Sequence, residues 1–325
     1  MLRYVTLVGG SGQKAARPRA AGVRLPYGRL PAAVRGWAED ELGAPVTGAR
    51  TQAGGMSPGC AARLRTADGG AAFLKAVGPE LNPDTPGLFR HELTVLRALS
   101  PAPGRPRLLA SYDDGSWTGL LLEDVEGRHP DLTDAATAAA VWDAVTAQAR
   151  ELTPAPAGLR ISTLADNARK WAQRWRLVAE EPARYLPDWA APKAGALLAR
   201  VLALPGRLAG ESLCHWDIRN DNLLIRPDGQ VVIFDLGMAR IGPAWADEFC
   251  LALEAGDEQP SAACLAAIEQ RHGVPGDLLT DVIIALAGSL AWSALQPQRP
   301  GLPNMAGFCL LQARRLLRAA ESRCP

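Results

Sequence analysis

The residues whose types and spacing could do chemistry lie together in the C-terminal half of the chain. His215-Trp216-Asp217-Ile218-Arg219-Asn220-Asp221-Asn222 is followed by Ile233-Phe234-Asp235-Leu236-Gly237. Between them, two short apolar runs, residues 223–225 and 231–234, straddle Pro227-Asp228-Gly229. A turn of that type between apolar runs reads as a β-hairpin. Asn222 precedes one strand and Asp235 ends the other, so pairing can bring their side chains to the same end of the hairpin. Two oxygen ligands with no Cys or His beside them suit Mg²⁺, a hard cation that prefers carboxylate, carbonyl and water. Asp217 lies five residues before Asn222, in a loop. A loop carboxylate beside such a pair could orient a hydroxyl for attack on a phosphoryl group.

Other elements must position these groups. Residues 31–42 carry Val34, Trp37 and Leu42 at the spacing of one helix face. Strand signals follow at 46–52 and 61–66, on either side of a Gly-rich connection, residues 53–59. The Asp68-Gly69-Gly70 turn then leads into a strand at 71–77. Residues 86–99 read as a helix, and 107–112 and 118–123 as two more strands. Residues 44–124 are therefore expected to form a small antiparallel sheet with one inserted helix. After Gly127 the chain becomes Ala- and Leu-rich with helical periodicity, punctuated by Pro154, Pro156, Pro187 and Pro205. From residue 246 onward it is again mostly helical. No internal repeat is evident.

His-x-Asp-x-x-x-x-Asn, a hairpin, then Asp-x-Gly resembles the aminoglycoside phosphotransferase and choline kinase-like branch of the protein-kinase fold. In that family the loop usually reads HGDLHxxN, and here it reads HWDIRNDN. The resemblance covers residues 44 to 300 in motif order and spacing. It implies an α+β, bilobal protein kinase-like fold, with a small antiparallel β N-lobe and a larger, mainly helical C-lobe. The expected organisation is a disordered tail over 1–25, which could also lie ahead of a later true start, a nucleotide-binding lobe over 26–126, and a catalytic and acceptor-binding lobe over 127–325. The roles that follow are borrowed from kinases rather than derived.

Phe73-Leu74-Lys75-Ala76 resembles the kinase strand whose lysine meets the α- and β-phosphates; the alternative is a surface lysine on an edge strand. Glu92, 17 residues on and mid-helix, resembles the carboxylate that orients this lysine, and would otherwise sit on a solvated helix face. Residues 53–59, AGGMSPG, take the place of the nucleotide-covering loop without being GxGxxG. Gly54, Gly55 and Gly59 permit close backbone approach, and Ser57 can donate to a phosphate oxygen. Residues 120–127 match the hinge between lobes, where the Glu123 carbonyl and Val125 N–H would meet the adenine edge. Asn222 and Asp235 would hold Mg²⁺ and Asp217 would act on the acceptor hydroxyl. Arg219 stands where the family commonly has histidine. It could stabilise transition-state charge, or simply pair with Asp221. His215 is expected to be architectural. Asp247 matches a family aspartate, and N-capping of the next helix suffices to explain it.

The resemblance implies an ATP- and Mg²⁺-dependent phosphotransferase acting on a small-molecule hydroxyl, with an aminoglycoside-type antibiotic as one acceptor. The alternatives are a metabolite kinase for an amino alcohol, sugar or related acceptor, and a nucleotide-binding pseudokinase. Asp247 follows Asp235 by only 12 positions, too few for the activation segment of a peptide kinase. Trp245 and Trp292 are candidates to line the acceptor pocket, and the acidic run Glu254, Asp257 and Glu258 could meet a cationic acceptor, although such a run is usually a solvated loop.

Composition narrows the partners. The chain has 325 residues, 48% hydrophobic and 21% charged, enough apolar material for a sizeable core. Net charge is +1, which offers no basic field for nucleic acid or anionic lipid. Only Lys14, Lys75, Lys170 and Lys193 are lysines among 35 basic residues, so a lysine at the phosphate position stands out. Six cysteines without a CxxC pair and four scattered histidines give neither a zinc site nor a disulfide framework, and fit a reducing cytoplasm. The longest uncharged apolar run, residues 282–295, is too short to span a bilayer. A cytoplasmic monomer or weak homodimer is expected, with no nucleic-acid or membrane partner.

Overall fold

The computed structural model of the protein describes residues 21–256 and 259–324. Its N-terminal half begins with helix α1 (Ala32–Leu42) and continues into a five-stranded antiparallel sheet: β1 (Val46–Thr51), β2 (Cys60–Thr66), β3 (Ala71–Val77), β4 (Leu108–Asp113) and β5 (Thr118–Leu122), in the order β1-β2-β3-β5-β4. Helix α2 (Thr85–Ala98) is inserted between β3 and β4. Each of these elements lies within one residue of the bounds expected from sequence. The β2–β3 hairpin turns where Gly69 adopts φ +88° and the Asp68 carboxylate accepts the Gly70 N–H at 3.2 Å.

Strand parity decides which face each residue of β3 uses, because successive side chains alternate. Ala72, Leu74 and Ala76 pack with Val34 of α1 on one side of the sheet. Phe73 and Val77 pack with Phe89 and Leu93 of α2 on the other. Lys75 has the parity of Phe73 and Val77, so it faces α2. On α2, Phe89, Glu92 and Leu93 are all buried, and their i, i+3, i+4 spacing puts them on one face toward the sheet.

The C-terminal half contains α3 (Ala135–Glu151), α4 (Leu164–Glu180), α5 (Pro182–Tyr185), α6 (Ala194–Arg207), α7 (Ala246–Ala255), α8 (Ala262–His272), α9 (Gly276–Ala294) and α10 (Met305–Arg323). Two small antiparallel pairs lie between α6 and α7. One joins β6 (Ser212–Cys214) to β9 (Arg240–Gly242); the other is the expected hairpin of β7 (Leu223–Ile225) and β8 (Val231–Ile233). Helix α9 is apolar from Val282 onward and sits in the lobe core. Trp175 of α4 is fully buried against it and donates its indole N–H to the Ile284 and Ala285 carbonyls at 3.1 Å each. A Cβ at Gly288 would fall 2.3 Å from that indole, so glycine is required there. Truncating an indole so placed costs about 3–5 kcal/mol.

The halves join through residues 123–127. A Cβ on Gly127 would lie 2.8 Å from the Ile225 carbonyl. Arg128 exchanges two backbone hydrogen bonds with Ile225, at 3.0 and 2.8 Å, which seats this connection on the β7–β8 hairpin. Of the tail expected over 1–25, residues 1–20 lie outside the described residues. Residues 22–25 do not form a tail: the Gly59 N–H donates to Val23 (3.0 Å), the Leu25 N–H to Gly59 (3.1 Å) and the Val23 N–H to Gly301 (2.8 Å).

Candidate active site

The hairpin does what its sequence suggested. Leu223 pairs with Ile233, and the Phe234 N–H donates to the Asn222 carbonyl at 3.1 Å, so Asn222 and Asp235 emerge at the same end. Asp235 has φ +70°, a left-handed conformation that turns its carboxylate out of the strand. A Cβ on Gly237 would lie 3.4 Å from that carboxylate, within ordinary contact distance.

Lys75 closes the upper side of the site. Its ammonium bonds the Glu92 carboxylate and lies 3.2 Å from Asp235 Oδ1. Burial works to lower the Lys75 ammonium, but Asp235 and Glu92 outweigh it and hold its pKa above the ordinary value. For Asp235, burial pushes the carboxyl up, but Lys75 wins and holds it below the usual carboxylate range. Glu92 is buried more deeply, and there burial wins over the lysine and raises its pKa.

The loop below carries Asp217. The His215 Nδ1 accepts the Asp217 N–H at 3.2 Å, so the proton is on Nε2, which donates to the Phe234 carbonyl at 2.8 Å. His215 thus ties the loop to the strand that delivers Asp235, in the architectural role expected of it. Asn222 Nδ2 donates to the Asp217 carbonyl (2.8 Å) and to its Oδ2 (3.0 Å). Arg219 reaches Asp217 Oδ1 at 3.2 Å and grips Asp221 with two bonds, at 2.9 and 3.3 Å. Of the two readings of Arg219, the pairing with Asp221 is the one this geometry displays. Burial pushes the Asp217 carboxyl up to about 6, against the opposing pull of Arg219.

Asp247 departs from the capping expectation. It lies inside α7 and caps nothing of its own helix. Its buried carboxylate accepts the backbone N–H of His215 (2.9 Å) and of Trp216 (2.8 Å). Trp216 occupies the position where the family pattern has glycine, and it adopts φ +59°, a region that costs a bulky residue about 1–2 kcal/mol. Stacking on Phe249, with centroids 6.3 Å apart and planes 8° apart, holds its ring.

A cleft of about 350 Å³ between the lobes is lined by Gly54, Gly55, Ser57, Lys75 and Glu92 above, Glu123 and Val125 at the hinge, and Asn222 and Asp235 below. The Glu123 carbonyl and the Val125 N–H have no hydrogen-bond partner among the described residues. Arg63 and Arg65 fix the hinge through Asp124, at 2.7 Å each. Gly59 does not line the cleft. At φ +129° its missing Cβ avoids the Ala76 carbonyl, 2.7 Å away, and its role is to let the loop pass close to β3.

Sequence reading did not single out several residues of this cleft, Arg24, Arg63, Arg128 and His129 among them. The Arg24 guanidinium fills the inside of the glycine loop, donating to the carbonyls of Gln52 (3.1 Å), Gly55 (3.0 Å), Gly54 and Ser57. Burial lowers its pKa, against the attraction of Asp235. The only local signal was Val23 and Leu25 alternating about Arg24, too short a pattern to read.

A divalent cation can be tested against this donor set. Asn222 spends its amide nitrogen on Asp217, which leaves Oδ1 without a protein partner among the described residues. Asp235 gives Oδ1 to Lys75 and leaves Oδ2. Two oxygens of an amide and a carboxylate, beside a cleft that water and phosphate can enter, fit Mg²⁺. Among the described residues no cluster of three or more His, Cys, Asp or Glu offers an alternative metal site.

Asp217 and Arg219 face a second cavity of about 210 Å³, walled by Trp216, Leu253, Leu290 and Phe308, with Met56 reaching in from the glycine loop. Neither tryptophan expected here takes part. Trp245 is packed in the lobe core, and Trp292 lies under the Arg174 guanidinium, 5.3 Å from the ring centroid. Glu254 of the acidic run does line the cavity and accepts the Asn220 N–H at 3.3 Å; Asp257 and Glu258 lie outside the described residues.

A β-rich lobe carrying a Lys–Glu pair, set over a helical lobe with a His-x-Asp loop and an Asp-x-Gly turn, defines a phosphotransferase of protein kinase-like fold. The Phosphotransferase enzyme family matches residues 61–280, and the chain belongs to that family. It is a small-molecule phosphotransferase. Its fold resembles that of the choline kinase LicA from Streptococcus pneumoniae, with TM-score 0.60 and 15% identity over 88% of this chain and 98% of that one. It also resembles a spectinomycin phosphotransferase solved with ADP and spectinomycin, with TM-score 0.59 and 12% identity over 89% and 98%. Among curated protein sequences, none matches the chain.

Proposed function

We propose that the protein transfers the γ-phosphate of ATP to a hydroxyl of a small molecule, with Mg²⁺ as cofactor. The observation that carries this reading is one connected set of polar groups. Glu92 holds Lys75, Lys75 holds Asp235, and Asn222 holds Asp217 through both its backbone and its carboxylate. The cleft under the glycine loop then takes the nucleotide. Lys75, oriented by Glu92, meets the α- and β-phosphates. Gly54, Gly55 and Ser57 cover the phosphates, and the Glu123 carbonyl and Val125 N–H receive the adenine edge. Asn222 and Asp235 hold Mg²⁺, which when bound would offset charge on the phosphate oxygens. The structures of relatives with AMP and with ADP support a nucleotide in this place.

Asp217 orients the acceptor hydroxyl and takes its proton late in transfer. Its raised pKa, about 6, keeps it mostly ionised at neutral pH while making it a better base than an ordinary aspartate. Arg219 offsets negative charge beside it. Most of the rate enhancement comes from positioning and charge stabilisation. Lys75, Asn222 and Asp235 in the cleft and Asp217 beside it are all present, which favours an enzyme over a pseudokinase. Five of the six cysteines are buried and all are free, which supports a reducing cytoplasm.

For the acceptor, the cavity beside Asp217 supports a molecule with a substantial apolar body. Its walls are largely aromatic and aliphatic, and Glu254 is its only carboxylate besides Asp217 among the described residues. A coupled phosphorylation screen tests both levels. Mg²⁺-dependent ADP formation with an alcohol of this class supports the reading. Turnover of aminoglycosides in preference would overturn the acceptor class, and nucleotide binding with no turnover of any acceptor would overturn the enzyme.

A further inference from the structure

A third cavity, about 190 Å³, lies between α4, the end of α9 and the start of α10, and shares no lining residue with the other two. Arg174 and Arg299 both line it, and no Asp or Glu does. Arg174 is half-buried. Its Nη1 donates to the hydroxyls of Ser289 (2.8 Å) and Ser293 (3.4 Å), and its plane lies over Trp292. The Arg299 guanidinium makes no hydrogen bond or ion pair among the described residues, and its charge disfavours that of Arg174.

Elsewhere in the molecule, comparable arginines meet carboxylates. Arg200 and Arg207 share Asp281, and Arg323 bonds Glu269. Two like charges brought to one cavity repel, and the half-buried Arg174 also loses hydration while Arg299 remains exposed. Here hydroxyls and an indole hold one of them in a fixed plane instead of neutralising it. That arrangement leaves the free edges of two guanidiniums, a fork geometry matched by the oxygens of a carboxylate or phosphate.

We propose that this cavity is an oxyanion-binding site, taking a carboxylate or phosphate group between Arg174 and Arg299. Its volume suits a compact group rather than a nucleotide. The same chemistry could arrive in two ways. Leu286 and Leu290 of α9 line the acceptor cavity and Ser293 lines this one, at i, i+4 and i+7 on one helix face. The anion can therefore be a free oxyanion, or the anionic end of an acceptor that extends along α9 from the cavity beside Asp217.

The test uses the full chain and inorganic phosphate at constant ionic strength, with sodium chloride as reference. Thermal denaturation and calorimetric titration are followed in wild type, Arg299→Gln and Arg314→Gln, the last an exposed control away from the cavity. Phosphate should bind saturably and raise Tm in wild type and Arg314→Gln. In Arg299→Gln its dissociation constant should rise by about tenfold or more. Phosphate entering the nucleotide cleft would act equally on all three proteins, so the difference reports this site alone. Equal binding in wild type and Arg299→Gln, or a wild-type response no larger than that to chloride, overturns the proposal. The source is separated by assaying hydroxy-carboxylic acid acceptors. A raised KM with unchanged kcat in Arg299→Gln assigns the anion to the acceptor. Unchanged kinetics with lost phosphate binding assigns a free oxyanion. Because the titration needs no turnover, it stands or falls independently of the phosphotransferase reading.

Discussion

Replacing Asp247 by asparagine isolates the contribution of a residue that touches neither nucleotide nor acceptor. The carboxylate accepts two buried backbone N–H groups, at 2.9 and 2.8 Å, and so holds Trp216 in its left-handed conformation. Asparagine presents one acceptor oxygen and one NH₂ group. One bond survives without charge assistance, at a loss of about 1 kcal/mol. The other N–H is left facing a donor, which costs about 1–3 kcal/mol for a buried group. The sum, about 2–4 kcal/mol, corresponds to a fall in Tm of about 3–6 °C for a chain of this size. The strained turn at Trp216 is then free to relax and carry Asp217 with it. A displacement near 1 Å at a reacting group costs on the order of 100-fold, so kcat should fall by about 10- to 100-fold. Lys75, Glu92 and the hinge do not contact Asp247, so KM for ATP should stay within about twofold of wild type, an allowance that corresponds to about 0.4 kcal/mol. Steady-state kinetics beside thermal denaturation makes the distinction. A lowered Tm with unchanged kcat, or a raised KM for ATP with unchanged kcat, would refute the idea that Asp247 positions the catalytic loop.

Arg24→Ala removes the guanidinium from inside the glycine loop, and KM for ATP should rise by about tenfold or more while kcat at saturation changes little; an unchanged KM would sink the role given to Arg24. Glu92→Gln leaves Lys75 with Asp235 as its one carboxylate partner, so nucleotide affinity measured by calorimetry should drop, and wild-type affinity would contradict the pairing. In metal-free protein the Asp217 carboxyl, observed by ¹³C NMR, should titrate near pH 6, ionised above and protonated below. Added Mg²⁺ favours the ionised form and should move that midpoint downward; a midpoint indifferent to Mg²⁺ would speak against a cation at Asn222 and Asp235.

What was legible in the sequence was local. The β7–β8 hairpin declared itself by its turn, and its pairing brought Asn222 and Asp235 together without tertiary information. The pairing of Lys75 with Glu92 comes from the resemblance to the kinase lysine and its carboxylate, and the fold supplies the physical reason: strand parity turns Lys75 toward the face that α2 covers. What escaped was the product of distant packing. Arg24 acts on a loop 30 residues away, through a segment with no periodicity to betray it. The β6–β9 pair joins two three-residue strands whose register depends on the chain between them. Asp247 has the position of a capping residue, and only the fold shows its carboxylate turned toward another loop. The acceptor walls failed for the same reason. Trp245 and Trp292 have the right chemistry, but packing places them elsewhere, and the left-handed turn of the loop at Trp216 and the face of α10 bearing Phe308 wall the cavity instead.

The central claim rests on Asp217, and single-turnover transfer from ATP·Mg²⁺ tests it most directly. Wild type and Asp217→Asn would each be loaded with nucleotide and mixed with an acceptor identified in the screen. The variant should bind ATP with near wild-type affinity and transfer phosphate about 10²- to 10⁴-fold more slowly. Transfer by Asp217→Asn at the wild-type rate would contradict the account.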